Sequence, residues 1–359
     1  MADPGFRRWA ADFPLTRGVA RRRALDLFDL VSGFVYSQIL TACLRLGVLA
    51  ALADGPATTV ALAGRTGLSG EAAGRLLAAA AALGLAERDG PDSWALGARG
   101  AILNGDDGLV AMILHNQTLY ADLADAPDLS APAGGGRLAA FWPYAGAGAP
   151  DASAPDTASP DTARAYSALM AATQPTVAAD VLDAYRVDRH RRLLDVGGGA
   201  GVFLSAAAAR APNLELMLFD LPAVAAIARA RLDAAGLAGR SQVVEGDFLA
   251  GPLPRGADLI SLIRILHDQD DAGAARLLRA VREALPPDGA LLLAEPMSDA
   301  PRADRVADVY FAAYLTAMGR GRARTPAEIG SLLRAAGFTR ARLLRTRSPH
   351  LLRAMLARP

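Results

Sequence analysis

Lysine is absent from this 359-residue chain; all 38 basic residues are arginine. A lysine Schiff base and a lysine nucleophile are therefore excluded. Cysteine occurs once, at Cys43, so no intramolecular disulfide can form and a reducing compartment is the simple expectation. Cys43 lies in an apolar helical pattern and reads as core rather than as a nucleophile. Four scattered histidines and one cysteine give no metal-ligand spacing, so no metal is expected. Charge of one sign is also lacking: 38 basic residues face 37 acidic ones. That removes any bulk attraction to nucleic acid or to an anionic membrane. The N-terminus has no signal-peptide apolar core, and no uncharged apolar run approaches about 18 residues. A cytoplasmic protein is expected.

What is present, 52% hydrophobic and 21% charged residues, suits a globular protein, and the length suggests two domains. The expected division is 1–180 and 181–359. Residues 1–23 are basic, with Trp9, Phe13 and Pro14 followed by Arg17 and Arg21-Arg22-Arg23. They read as a solvated arm that packs on a partner chain, with a peripheral membrane contact as the alternative. Residues 24–46 form one apolar helix with few charges, suited to a dimer interface or the wall of an apolar pocket. Residues 48–100 give short helices at 48–53, 60–65 and 70–83, the last capped by Ser69, then a hairpin of 85–88 and 93–96. This is a winged-helix pattern. Its third helix carries only Glu71 and Arg75 among alanines, whereas a recognition helix needs several groups for phosphates and base edges. A dimerisation module is expected, with no nucleic-acid partner. Residues 101–130 read as one helix bearing His115, Asn116, Tyr120 and Asp122, and 131–163 as a loop holding the aromatic cluster Phe141-Trp142-Pro143-Tyr144. A helix over 164–185 follows.

The C-terminal half is organised around Leu193-Leu194-Asp195-Val196-Gly197-Gly198-Gly199-Ala200-Gly201. Apolar residues, a glycine turn and the helical stretch 202–210 read as a buried parallel strand, a tight turn and a helix. Such a turn lets backbone approach a ligand closely and offers free N–H groups at the helix start. The dinucleotide pattern G-x-G-x-x-G, started at Gly197, requires glycine at 202, which is Val202. Asp195 lies inside the turn instead. A carboxylate there repels a pyrophosphate and attracts a cation, which favours S-adenosyl-L-methionine with its sulfonium and ammonium groups. From here strands and helices alternate, the pattern of a doubly wound parallel sheet, and ligands of such sheets sit beyond the C-terminal strand ends. Those ends fall at Asp195, Asp220, Asp247, near Arg264, and at Glu295. Asp220 is placed for a ribose diol, Asp247 for an adenine amino group and Phe248 for the ring face. His267 follows the strand that ends near Arg264 and is a candidate general base. Glu295, at the next strand end, is a candidate to orient it, as the third member of a triad orients its base. The tail, 339–353, reads as a closing pair of strands.

These motifs, with Phe219-Asp220-Leu221-Pro222, Glu245-Gly246-Asp247-Phe248, Ile265-Leu266-His267-Asp268 and Leu285-Pro286-Pro287-Asp288-Gly289, resemble the class I S-adenosylmethionine-dependent O-methyltransferases of the plant-caffeate and hydroxyindole type. The resemblance covers nearly the whole chain. It implies a Rossmann-like doubly wound methyltransferase domain preceded by a helical, winged-helix dimerisation domain, and an intertwined homodimer. It also implies catalytic roles for His267 and Glu295, and cofactor contacts from Asp195, Gly197, Gly199, Gly201, Asp220, Asp247, Phe248 and Arg264. One departure stands out. The family's Gly-Lys-Glu-Arg-Thr segment, which carries a second acid flanking the base, here reads Gly321-Arg322-Ala323-Arg324-Thr325. Ala323 replaces the acid, and nearby Glu328 is not assigned its role.

Three N-terminal stretches carry a finer resemblance: Phe13-Pro14-Leu15-Thr16-Arg17, Leu27-Phe28-Asp29-Leu30-Val31-Ser32-Gly33-Phe34-Val35-Tyr36-Ser37-Gln38 and Tyr120-Ala121-Asp122-Leu123-Ala124-Asp125. They are similar to the bacterial hydroxyneurosporene (demethylspheroidene) O-methyltransferases, which methylate the tertiary hydroxyl of acyclic carotenoids. The acceptor implied is an apolar hydroxycarotenoid. A phenolic acceptor and a bacteriochlorophyll-pathway acceptor are the alternatives.

Overall fold

The computed structural model describes residues 3–125, 136–142, 160–299 and 305–359. Pro143 and Tyr144 of the expected aromatic cluster, and most of the expected 131–163 loop, lie outside them. By contacts the chain divides into two compact units, Met1–Leu114 and His115–Pro359.

The first unit begins with α1 (Pro4–Asp12) and α2 (Arg17–Arg45). Helix α2 starts seven residues before the expected 24 because no breaker separates the arginine-rich segment from the apolar one. By length and composition α2 is the one helix among the described residues able to cross a membrane, and its most apolar window is only 11% buried. Then come α3 (Val48–Ala53), β1 (Ala57–Thr58), α4 (Thr59–Thr66), α5 (Gly70–Ala82), β2 (Ala86–Arg88), β3 (Ser93–Leu96) and α6 (Ala98–Asn104). Ser69 Oγ accepts from Ala72 N at 3.2 Å and starts α5, a cap that contributes about 1 kcal/mol. The strands form the antiparallel sheet β1-β3-β2, the wing of a winged helix. Cys43, Leu49, Leu62, Leu77 and Trp94 pack as its core. Burial pushes the Cys43 thiol up to about 11, so it stays a neutral, unreactive apolar filler.

The single helix expected over 101–130 is two helices, α6 and α7 (Asp107–Asp125). The reason is local: Gly105 terminates α6, and Asp106 Oδ1 accepts from Leu109 N at 2.8 Å to start the next.

The second unit continues with α8 (Arg137–Phe141), α9 (Pro160–Ala184), β4 (Arg192–Val196), α10 (Val202–Arg210), β5 (Glu215–Asp220), α11 (Pro222–Ala234), β6 (Ser241–Glu245), β7 (Leu259–Ile263), α12 (Asp271–Ala284) and β8 (Ala290–Glu295). A π-helical turn, Arg305–Phe311, leads into α13 (Ala312–Met318), and α14 (Pro326–Ala335), β9 (Arg340–Leu344) and β10 (Arg353–Arg358) close the chain. The expected closing pair of strands is present, but its second strand begins at Arg353, where the expected span ended. The sheet order is β6-β5-β4-β7-β8-β10-β9, with β6, β5, β4, β7 and β8 paired in parallel and β10 antiparallel to both of its neighbours, β8 and β9.

Strands β7 and β8 are buried at every residue. A parallel sheet covered on both faces demands this, which is why they read as unbroken apolar runs. The period-2 alternation then splits the core. Leu194, Val196, Ile260, Leu262, Leu291 and Leu293 pack with Leu277, Leu278 and Val281 of α12 and with Ile329 and Leu333 of α14. Leu193, Leu259 and Leu292 pack with Val181 of α9, Phe203 and Leu204 of α10 and Leu232 of α11. The strand order reverses at β4, and the sheet's ligand crevice lies beyond such a switch point.

Candidate active site

The turn after β4 is built by its glycines. Gly197 and Gly199 take φ of +68° and +56°, a left-handed backbone that side chains disfavour. A Cβ on Gly197 would lie 2.5 Å from Ile265 Cδ1, and one on Gly198 would lie 2.8 Å from Asp195 Oδ2. The turn is therefore pressed against the loop after β7, and together they open a cleft of about 710 Å³, counting space open to solvent. Asp195, residues 197–200, Phe248, Arg264, Ile265 and Asp268 line it, joined by Tyr166, Ser167, Met170 and Gln174 from α9.

Of the residues expected to hold a cofactor, Asp195, Gly197, Gly199, Phe248 and Arg264 come together here. Asp195 is buried and accepts from Ser261 Oγ at 2.6 Å. Burial raises its pKa to about 7, with Ser261 opposing and Asp220 adding to the rise. Arg264 sits at φ +60°, a strained conformation for a bulky residue that clusters at functional positions. Its guanidinium donates to Thr173 Oγ1 at 2.9 Å. Asp220, Asp247 and Gly201 do not line the cleft. Asp220 is fully buried, with Oδ2 accepting from Gly199 N and Oδ1 from Leu221 N, both at 2.8 Å. Asp247 accepts from Leu249 N at 2.8 Å, and Gly201 is the N-cap of α10 at φ +75°. Among the described residues Ser167 Oγ and Gln174 Oε1 are buried on the cleft wall without a hydrogen-bond partner.

His267 lies in a short 3-10 turn between β7 and α12. Its imidazole is buried and its Nδ1 is hydrogen-bonded to Glu295 Oε2. The other oxygen of Glu295 accepts from Ile265 N at 3.1 Å and Leu266 N at 2.7 Å. Glu295 thus fixes both the ring and the turn that carries it. Asp268 Oδ1 lies 3.2 Å from Nε2, so each ring nitrogen faces a carboxylate. Burial works to lower the His267 pKa, but Asp268 and Glu295 outweigh it and raise it above the ordinary value. Burial also raises the Asp268 carboxyl. Phe311, from the π-helical turn, meets the imidazole edge-on at 5.7 Å.

The segment that departs from the family pattern braces this turn by backbone instead of reaching the ring. Arg324, only 2% exposed, donates to Leu266 O at 2.9 Å, Gln269 O at 2.7 Å and Asp271 Oδ1 at 2.8 Å. Arg322 N donates to His267 O at 2.8 Å. A Cβ on Gly321 would lie 2.2 Å from that same carbonyl. Glu328 is committed elsewhere: one oxygen completes the capping box with Thr325 and the other pairs with Arg322.

Asp268 and Arg324, both within the motifs above, carry no expected role from sequence alone. The contacts of Arg324 depend on a loop 58 residues away meeting this turn, and that of Asp268 on the 3-10 turn that brings its carboxylate back onto the neighbouring imidazole. In the second unit His115 Nε2 pairs with Tyr314 OH at 3.1 Å, and Tyr310 OH donates to Asn116 Oδ1 at 2.9 Å. Asp122 is spent on structure, accepting from Arg137 N and Leu138 N at 2.8 Å each to start α8.

A switch-point cleft with a glycine turn, and an imidazole–carboxylate pair one strand away, define a transferase built on a doubly wound sheet. The chain belongs to the O-methyltransferase family: the O-methyltransferase domain matches residues 127–339, and the O-methyltransferase dimerisation domain matches residues 28–103. It is 44% identical over 354 residues to a demethylspheroidene O-methyltransferase from Cereibacter sphaeroides, covering 98% of this chain and 91% of that protein. It is 41% identical to the enzyme of the same name from Rhodobacter capsulatus, covering 94% and 82%. Among solved structures, human N-acetylserotonin methyltransferase in complex with SAM superposes with a TM-score of 0.72 at 26% identity, covering 94% of this chain and 97% of that one. The dimerisation domain supports a homodimer, and the enzyme domain supports action on a small-molecule acceptor.

Proposed function

We propose that this enzyme methylates the tertiary hydroxyl of an acyclic hydroxycarotenoid, using S-adenosylmethionine, with His267 as general base and Glu295 as the residue that orients it. The chemistry rests chiefly on one observation: His267 is held at Nδ1 by Glu295 beside the glycine cleft. The acceptor class is supported by the demethylspheroidene enzymes at 44% and 41% identity over almost the whole chain. A long hydrocarbon acceptor partitions into lipid rather than water, and a peripheral membrane contact accompanies this reading.

The cleft's donor set fits the cofactor. Asp195, ionising near neutral pH, suits a cationic methionine end. The unpartnered Ser167 Oγ and Gln174 Oε1 offer an acceptor each to an ammonium, and the serine a donor to a carboxylate. Phe248 offers an apolar face to a purine. When bound, S-adenosylmethionine supplies a methyl group activated by an adjacent sulfonium.

The protein's own share is positional. Neutral His267 takes the hydroxyl proton, and Glu295 stabilises the imidazolium that results. An imidazole cannot pre-ionise an alcohol, so holding oxygen in near-attack geometry carries most of the acceleration and the base assists only as the proton leaves. Transfer of labelled methyl by purified enzyme tests the reading, with a 1-hydroxy acyclic carotenoid in detergent run beside a panel of phenols. Label in the carotenoid alone is expected. Label confined to phenols overturns the acceptor and keeps the chemistry.

A further inference from the structure

Among the described residues, none of the hydrophobic core clusters includes a residue of α1. Phe6, Trp9 and Phe13, spaced i, i+3 and i+7, share one face and contact each other in series, with centroids 5.7 and 5.0 Å apart. They stay 45%, 51% and 39% exposed. The helix holds itself together: Asp3 Oδ1 accepts from Phe6 N at 2.7 Å, and Phe13 N donates back to Trp9 O at 2.9 Å. Leu15 and Val19 extend the apolar surface, at 84% and 55% exposed. Around it stand Arg8, Arg17, Arg21, Arg22 and Arg23, all exposed. Residues 3–23 hold six arginines against two aspartates, a local excess of four positive charges in a chain whose net charge is +1.

We propose that α1, with the arginines at the start of α2, docks the enzyme on an anionic lipid surface, the aromatic face entering the headgroup–acyl boundary and the guanidinium groups meeting lipid phosphates. An exposed aromatic face beside concentrated arginine is the composition of an interfacial helix. Tryptophan in particular favours a boundary that is wet on one side and apolar on the other. The competing occupant is a second copy of the chain. Charge argues against α1 packing on α1 of a second copy, because that contact would set one cluster of arginines against another. The matched dimerisation domain also begins only at residue 28, leaving α1 outside it. The proposal rests on the peripheral-membrane reading given above and adds the segment and the headgroup charge.

The structure supplies its own probe. Trp94 and Trp142 are buried at 2% and 4% exposure, so Trp9 is the tryptophan that a surface can reach. Full-length enzyme is titrated with phosphatidylcholine vesicles with and without phosphatidylglycerol, and with vesicles whose acyl chains are brominated. The expected result is binding only where phosphatidylglycerol is present, a blue shift of Trp9 emission and quenching by bromine. At roughly fivefold per arginine near an anionic surface, R21Q/R22Q/R23Q weakens partitioning about a hundredfold, and salt does the same to the parent protein. Binding without quenching of Trp9 overturns α1 as the docking element and leaves the membrane reading intact. No binding to either vesicle overturns both. Conversion of a dimer to a monomer by Trp9→Ala in lipid-free solution assigns the face to a second copy and also overturns the proposal.

Discussion

Asp268 Oδ1 lies 3.2 Å from His267 Nε2, the ring nitrogen that Glu295 leaves for an acceptor. The resting imidazole is thus bracketed by two carboxylates, which favour its protonated form. A base must be neutral, so turnover should climb as pH rises through the elevated His267 pKa, above the ordinary imidazole value of about 6.5. Asp268→Asn removes one of the two raising charges. Its ascending limb in a kcat/KM–pH profile should move toward acid, and an unmoved limb would separate Asp268 from the base. The same shift affects folding. A histidine whose folded pKa is raised contributes stability in full below its unfolded pKa and loses it as pH rises through the folded one. Urea unfolding of the parent protein should therefore show this part of its stability fading on the alkaline side.

His267→Ala should lower kcat by roughly 10²–10⁴, the usual share of a positioned general base. Because His267 does not line the cleft, S-adenosylmethionine affinity measured by calorimetry should stay at the parent value. Retained turnover would remove the residue from the mechanism.

Asp195 should make cofactor binding pH-dependent. Its pKa of about 7 means that the ionised form, which attracts a cation, is depleted as pH falls. Affinity should drop by up to about tenfold per unit below that value. Calorimetry from pH 5.5 to 8.5 reads the slope, and Asp195→Asn should flatten it.

Arg324→Met should strand the carbonyls of Leu266 and Gln269. A stability loss of about 2–3 kcal/mol in urea is expected, together with a fall in kcat larger than any change in KM. Arg324→Lys should rescue only part of both, since a single ammonium cannot span the contacts of a planar guanidinium. Full activity in the methionine variant would make the brace irrelevant to catalysis.

Much of this was written locally in the chain. The glycine turn declared itself through Asp195 and residues 197–201, because a strand, a sharp turn and a helix leave a short-range signature. His267 and Glu295 could be picked out because each ends or follows a strand of a parallel sheet. Two features could not be read that way, and a third was outweighed. Arg324 meets Leu266 across 58 residues of sequence. Asp220 looks like any acid at a strand tip, and only the folded turn reveals that Gly199 N occupies one of its oxygens. The break at Gly105 is written in Asn104-Gly105-Asp106-Asp107-Gly108, but the apolar periodicity on both sides of it outweighs that signal in a reading by pattern.

Besides Glu295, the turn that carries His267 is held by groups that never touch the imidazole: the carbonyl contacts of Arg324, the amide of Arg322 and the close approach of Gly321. The mount is thus separable from the tool. A different proton acceptor grafted at position 267 would be presented from the same scaffold, so the chemistry at this position can be re-equipped without rebuilding the loop beneath it.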